Sequence, residues 1–119
     1  MTIVKIILII ILLVIIINKF IPAKDINQIT MKELREQLND DSKQFVDVRT
    51  PREFNIAHLE GFQNIPLRRI RKQADQLSSD KEVIVLCQTG IRSMEACKRL
   101  KRLGYKNLTN VKGGLSAWD

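Results

Sequence analysis

The order of apolar and polar positions splits the chain into two unequal parts. From Ile3 to Ile17 every residue except Lys5 is aliphatic, and the run continues through Asn18, Lys19 and Phe20 to Ile21. A helix over residues 3–21 would extend roughly 28 Å, close to the thickness of a bilayer's hydrocarbon core. It is apolar on every side, and Lys5 lies near one end, where its long stem can reach the headgroups. Residues 1–22 therefore read as an uncleaved membrane anchor. A cleaved signal peptide is the competing reading, but Ile21-Pro22-Ala23 sets a bulky side chain where cleavage needs a small one. Lys19, Lys24, Lys32 and Arg35 follow the run, against Lys5 and the amino terminus before it. That bias predicts a single-pass protein of the cell membrane with its domain in the cytoplasm.

Beyond the anchor the period changes every few residues. Pro22-Ala23-Lys24 is a short joint, and residues 23–29 hold this joint and a first strand within DINQIT. TMKELREQL (30–38) predicts a helix, because Thr30 and Glu33 have capping-box spacing and Met31, Leu34 and Leu38 share a face. QFVDVR (44–49) reads as a strand, 52–57 as a short helix, 64–66 as a brief strand after turn-rich residues, and LRRIRKQADQL (67–77) as a helix. EVIVLC (82–87) is a continuous apolar run, the signature of a strand buried on both faces of a parallel sheet. SMEACKRLKRLG (93–104) predicts a helix closed by Gly104, KNLTNV (106–111) a last strand and GLSAW (114–118) a final short helix. Strands alternating with helices predict a single α/β domain over 25–119, with a mainly parallel sheet flanked by helices. Ligands of such sheets gather outside the carboxyl ends of the strands.

The chain of 119 residues has room for one such core and not two. Of its net charge of +7, Lys5, Lys19 and Lys24 supply +3. Two basic clusters stand out in the rest: Arg68, Arg69, Arg71, Lys72, and Lys98, Arg99, Lys101, Arg102. They read as solvated helix faces or, on a tethered domain, as surfaces drawn to anionic lipid. One Trp and one Tyr, not interleaved with the basic residues, argue against nucleic-acid binding. Two cysteines make no disulfide framework, and no Cys, His and carboxylate cluster has metal-ligand spacing, so neither metal nor cofactor is expected. Oligomeric state has no signature in the chain.

The chemistry concentrates at CQTGIRS (87–93). Cys87 ends a buried strand, Gly90 can take positive φ, and a helix begins near Ser93. Inward-turned loop amides, the helix amino end and Arg92 would surround the sulfur with positive character, favour its thiolate and hold an anionic substrate. Such a nucleophile needs no separate general base. The plain alternative is a small buried cysteine ending a strand. Cysteine-dependent phosphatases use five residues between Cys and Arg, whereas Gln88, Thr89, Gly90 and Ile91 make four here. The narrower cradle suits one terminal sulfur better than a phosphoryl group. Asp47 and Glu53 remain open as leaving-group acids. Cys97 shares a helical stripe with Ser93, Leu100 and Gly104 and reads as core, with a redox partner for Cys87 as the sharper alternative.

CQTGIRS resembles the active-site loop of the rhodanese (sulfurtransferase) family. DVRTPREF (47–54), HLEGFQNIP (58–66) and GGLSAW (113–118) are similar to further family motifs in the same order, so the resemblance covers about 25–119. It implies a five-stranded parallel sheet and a persulfide on Cys87, held by the amides of Gln88, Thr89, Gly90, Ile91, Arg92 and Ser93. A small anionic donor such as thiosulfate would load the sulfur, and a thiol, cyanide or protein acceptor would remove it. Ala57, where Gly often precedes the His, and Phe62, in place of Ala, depart from the pattern and bear on packing. Asp47 and Arg49 are expected to form an ion pair bracing the loop, His58 to make structural hydrogen bonds and Trp118 to plug the core. The rivals are a non-catalytic persulfide carrier or partner-binding module, and a phosphatase or arsenate reductase using the same anion cradle.

Overall fold

The computed structural model describes residues 1–21 and 23–118. Pro22 of the expected joint and Asp119 at the end of the expected domain lie outside the described residues. Helix α1, Thr2–Phe20, buries none of its residues against the rest of the chain. With a mean hydropathy of 2.9 it is long and apolar enough to cross a membrane.

The remaining elements are β1 (Asn27–Ile29), α2 (Met31–Arg35), β2 (Lys43–Asp47), α3 (Pro51–Ile56), β3 (Gln63–Asn64), α4 (Ile70–Gln73), β4 (Glu82–Leu86), α5 (Ile91–Arg102) and β5 (Leu108–Val111). The strands form one sheet in the order β1-β5-β4-β2-β3, and every neighbouring pair is parallel. The α/β architecture with a parallel sheet is the one the pattern predicted, and its five strands are those the resemblance implied. Strand β4 is central, pairing Asp47 with Leu86 on one side and Asn110 with Val85 on the other.

Period-two alternation assigns the residues of β4 to two cores. Val83, Val85 and Cys87 belong to a cluster with Ile70, Ala74 and Leu77 from around α4 and with Met94, Cys97 and Leu100 of α5. Ile84 and Leu86 belong to the opposite cluster with Met31 and Leu34 of α2, against which Phe54 of α3 packs. A strand covered on both faces has to be apolar along its buried length, as Val83–Leu86 is, with the charged Glu82 only half-buried at its start. Truncating a side chain such as Leu86 or Leu34 to Ala would cost about 2–5 kcal/mol.

Local signals explain several starts. Thr30 accepts the Glu33 N–H, and the Glu33 carboxylate accepts the Thr30 N–H, the expected capping box. The same device, unforeseen, starts α3 at Thr50 with Glu53. Other expectations change. Helix α2 stops at Arg35, although Leu38 still packs on its cluster. Residues 67–77 are not one helix but a 3-10 turn (Leu67–Arg69), α4 and a second 3-10 turn (Ala74–Gln76). Ile70, Ala74 and Leu77 keep a helical face toward the core, while the Tyr105 hydroxyl binds the carbonyls of Ala74 and Leu77 from outside the segment. The final short helix is a 3-10 turn, Gly114–Ala117.

Candidate active site

Cys87 directly follows β4 and has no accessible surface. Gly90, at φ +94°, turns the chain back so that its N–H donates to the Cys87 Sγ at 3.1 Å. Helix α5 begins one residue later, at Ile91, two residues earlier than the pattern suggested. The loop proper is therefore residues 88–90, and Arg92 and Ser93 lie in the first turn of α5. That register turns Ser93 inward, with its Oγ 3.3 Å from the sulfur. The Ser93 hydroxyl donates to Asn110 Oδ1, and the Asn110 amide nitrogen donates to the Gly90 carbonyl (3.3 Å) and to Gln28 Oε1 (3.2 Å). A buried polar chain thus runs from β1 through β5 to the sulfur.

The loop is held from its other side by the C-terminal turn. The Leu115 N–H donates to the Cys87 carbonyl at 3.0 Å, and the Ser116 N–H to the Gln88 carbonyl at 2.9 Å. The Ser116 hydroxyl donates to the same Gln88 carbonyl. Across a trans peptide, C=O and the following N–H point in opposite directions. Pinning these two carbonyls therefore directs the amides of Gln88 and Thr89 away from the clamp. The approach requires glycine: a Cβ on Gly114 would sit 2.4 Å from the Cys87 carbonyl oxygen, at φ +56°.

Arg92 is not a free cation awaiting an anion. Its Nη1 and Nη2 donate to Glu53 Oε1 (2.6 Å) and Oε2 (3.0 Å), a two-point pair between the first turns of α5 and α3. The Arg92 hydrogen bonds hold the Glu53 carboxyl down at about 2, and Glu53 in turn raises Arg92 above the usual guanidinium range. A carboxyl so acidic is ionised near neutrality and has no proton to give a leaving group. Asp47 is equally committed: buried, it accepts from Arg49 through the backbone N–H (3.0 Å), Nε (3.1 Å) and Nη2 (2.8 Å). The Arg49 Nη2 also donates to the Ala57 carbonyl at 2.7 Å, so the pair ties the end of β2 to the segment after α3.

The remaining expected residues make no hydrogen bond to the sulfur among the described residues. His58 is exposed, stacked on Phe54 at 3.7 Å between ring centroids, with Nδ1 2.8 Å from the Phe54 carbonyl oxygen. It lines a depression with Arg49, Leu59, Gln88 and Trp118. Trp118 is not a core plug. Its side chain is 41% exposed beneath the Arg35 guanidinium, 4.2 Å from the ring centroid, while Leu115 packs on the core cluster instead. Cys97 is buried within α5's inner stripe, where loss of hydration pushes its thiol up. The two departures from the family pattern fit: Ala57 is extended at φ −163°, which any residue adopts, and Phe62 packs beside Phe45 with 5.3 Å between centroids. Among the described residues no group of His, Cys, Asp and Glu could hold a metal. Sequence reading missed Asn110 and the clamping role of residues 113–116. The signals were an Asn inside an otherwise buried strand and a Gly-Gly pair directly after it.

The structure thus sets a cysteine at the carboxyl end of a central parallel strand, in a tight loop that runs into a helix. The rhodanese-like domain model matches residues 30–119, and the chain belongs to that family. It is 31% identical over 94 residues to a sulfurtransferase of Allochromatium vinosum, covering 78% of this chain and 88% of that one. It is 32% identical over 97 residues to YrkF of Bacillus subtilis, which bears the name of a sulfur carrier protein, covering 81% of this chain and 52% of the relative. Several curated relatives are longer still, and the chain spans 34% of one from Arabidopsis thaliana and 24% of another from Mycobacterium tuberculosis. The crystal structure of a rhodanese-like domain protein from Staphylococcus aureus superposes with a TM-score of 0.73 at 28% identity, over 79% of this chain and 92% of that one.

Proposed function

We propose that this protein is a membrane-anchored sulfurtransferase that carries sulfane sulfur on Cys87. Residues 1–22 form the anchor and 25–119 the catalytic domain, on the cytoplasmic side of the cell membrane. The observation that carries the reading is the setting of Cys87: its sulfur accepts the Gly90 N–H while the C-terminal turn pins the adjoining carbonyls. That geometry aims the amides of Gln88 and Thr89 toward the interior of the loop, where an outer sulfur bonded to Cys87 would sit.

In the loading step the Cys87 thiolate attacks the sulfane sulfur of a donor such as thiosulfate. The new S–S bond forms as the donor's S–S bond breaks, and sulfite leaves with the bonding electron pair. In the unloading step an acceptor thiolate or cyanide attacks the outer sulfur and returns Cys87 as thiolate. The loop amides stabilise the charged sulfur in both states, the Ser93 hydroxyl turns from Asn110 Oδ1 to the Cys87 thiolate in the unloaded one, and the Arg92–Glu53 pair shapes the mouth. Because Cys87 has no accessible surface, a donor reaches it only as residues 88–90 yield.

Thiosulfate is expected to add about 32 Da, one sulfur atom, to the purified protein, and Cys87→Ser to abolish both the adduct and sulfur transfer to cyanide. No adduct with any sulfane donor would overturn the reading. The carrier reading, favoured by the sulfur-carrier name of YrkF, predicts instead a stable adduct with negligible turnover by small thiols. A phosphatase is disfavoured because Glu53, the carboxylate paired with Arg92, is held ionised by it.

A further inference from the structure

We propose that the basic face made by α4, its flanking turns and α5 lies on the anionic headgroups of the membrane crossed by α1, so that the Cys87 loop opens into the headgroup layer. This rests on the membrane-anchor reading of α1.

The two basic clusters singled out in the sequence converge in the fold. Arg99 Nη1 donates to the Leu67 carbonyl at 3.1 Å and so ties α5 to the turn that begins the first cluster. Arg68, Arg69, Arg71, Lys72 and Arg102 are all exposed, and among the described residues none of the five side chains has a hydrogen bond or ion pair. The acidic groups of this side are mostly spoken for, Glu95 by Arg99 and Asp25 by Lys101, which leaves Asp75 as the acidic residue beside α4. Five cations without carboxylate partners on one face call for an external anion.

The end of the anchor lies against the same face. Lys98 Nζ donates to the Asn18 carbonyl at 3.2 Å, the Ile26 N–H bonds the Ala23 carbonyl, and Ala23 packs on the core cluster of α5. Asn18 and Ala23 are therefore both held to the domain. Lys19 borders one depression with Ile91, Arg92 and Arg99, and another with Thr89 and Gly90. A spanning helix ends where hydrocarbon gives way to headgroups, a layer roughly 6 Å deep on each side. Residues beside its last turn sit in that layer, and here they are the Cys87 loop and the amino end of α5. Ile91, 48% exposed, and Phe20, 62% exposed, are apolar side chains at that level. Each cation held near an anionic surface shifts the docked population by roughly fivefold, and salt weakens the effect.

The test is lysine footprinting of the full chain in lipid nanodiscs of phosphatidylcholine, with or without phosphatidylglycerol. A water-soluble acylating ester and mass spectrometry report the modification rate at each lysine. Lys72 is expected to react roughly fivefold or more slowly in the anionic discs, with protection lost at high salt. Lys32, exposed on α2 across the sheet, should react equally in both. Arg68→Glu with Arg71→Glu, at exposed positions without partners, should abolish the protection of Lys72. A chain seated in the discs whose Lys72 reacts equally in both lipids overturns the docking and leaves the anchor standing. A chain that stays in solution overturns the anchor and the docking together. Protection of Lys72 by an added oligonucleotide but not by phosphatidylglycerol would reassign the face to nucleic acid and overturn the proposal.

Discussion

Cys87 directly follows β4 and Cys97 lies on the next helix, α5; both are free, and both have no accessible surface. What surrounds each sulfur differs. Cys87 is closed over by a three-residue loop and touches the Gly90 N–H and the Ser93 hydroxyl. Cys97 is closed over by α5 itself and the sheet, has no hydrogen bond among the described residues, and burial pushes its thiol up. Burial alone therefore does not sort the proposed sulfur carrier, Cys87, from a cysteine that only packs. The sorting comes from how much structure must yield to admit a donor and from whether polar groups wait for the charge. A short loop can yield, whereas α5 can expose Cys97 only by leaving the sheet.

The largest expected effect tests that contrast directly. Cys87→Ser should lower thiocyanate formation from thiosulfate and cyanide by about a thousandfold or more. Cys97→Ser should leave the rate per folded molecule within about twofold, while costing about 1–3 kcal/mol of stability for the buried hydroxyl. Equal losses in both variants would break the distinction. Next comes the clamp. Gly114→Ala forces a Cβ to within 2.4 Å of the Cys87 carbonyl oxygen and should cost about 2–4 kcal/mol in urea unfolding, with activity falling at least about tenfold. Gly104→Ala, at φ +103° in open space, should cost only about 1–2 kcal/mol and spare the activity.

A smaller effect should come from the mouth. Glu53 is held at about 2 against an ordinary 4.5, chiefly by the hydrogen bonds from Arg92. The stabilisation is fully present above pH 4.5 and is lost as pH falls through about 2. With both side chains about one-third exposed, solvent screening reduces it to about 1 kcal/mol. Urea unfolding at several pH values should show wild type losing this margin over Glu53→Gln between pH 4.5 and 2. At neutral pH the same variant frees Arg92 and should lower KM for an anionic donor, which Cys97→Ser should not do. The smallest change belongs to Ser93→Ala, expected to slow sulfur loading by about threefold to tenfold, because the hydroxyl proton that bonds Asn110 Oδ1 has to turn to the sulfur, 3.3 Å from Ser93 Oγ, to stabilise its charge.

Much of this was legible in the chain. EVIVLC announced a doubly covered strand because both of its faces must be apolar, and Gly90 announced the turn because φ +94° is open to little else. Thr30 with Glu33 marked a helix start through contacts only three residues long. The failures involve partners distant in sequence. Arg92 looked like a free cation because its neutralising Glu53 lies 39 residues earlier. Residues 67–77 looked like one helix because the Tyr105 hydroxyl that draws out two carbonyls comes 31 residues after Ala74. Trp118 looked like core because size and apolarity say nothing about Leu115 having already filled the place.

Strand β5 is the last strand in the chain yet lies inside the sheet, between β1 and β4. During synthesis β1 therefore has no strand to pair with until Leu108–Val111 emerges, long after α1 has left the ribosome. The same last residues bring Asn110 to Ser93 and Leu115 to the Cys87 carbonyl. The site cannot be assembled on a partial chain, so a ribosome that stalls before β5 leaves an unfinished, unclamped thiol beside whatever holds α1.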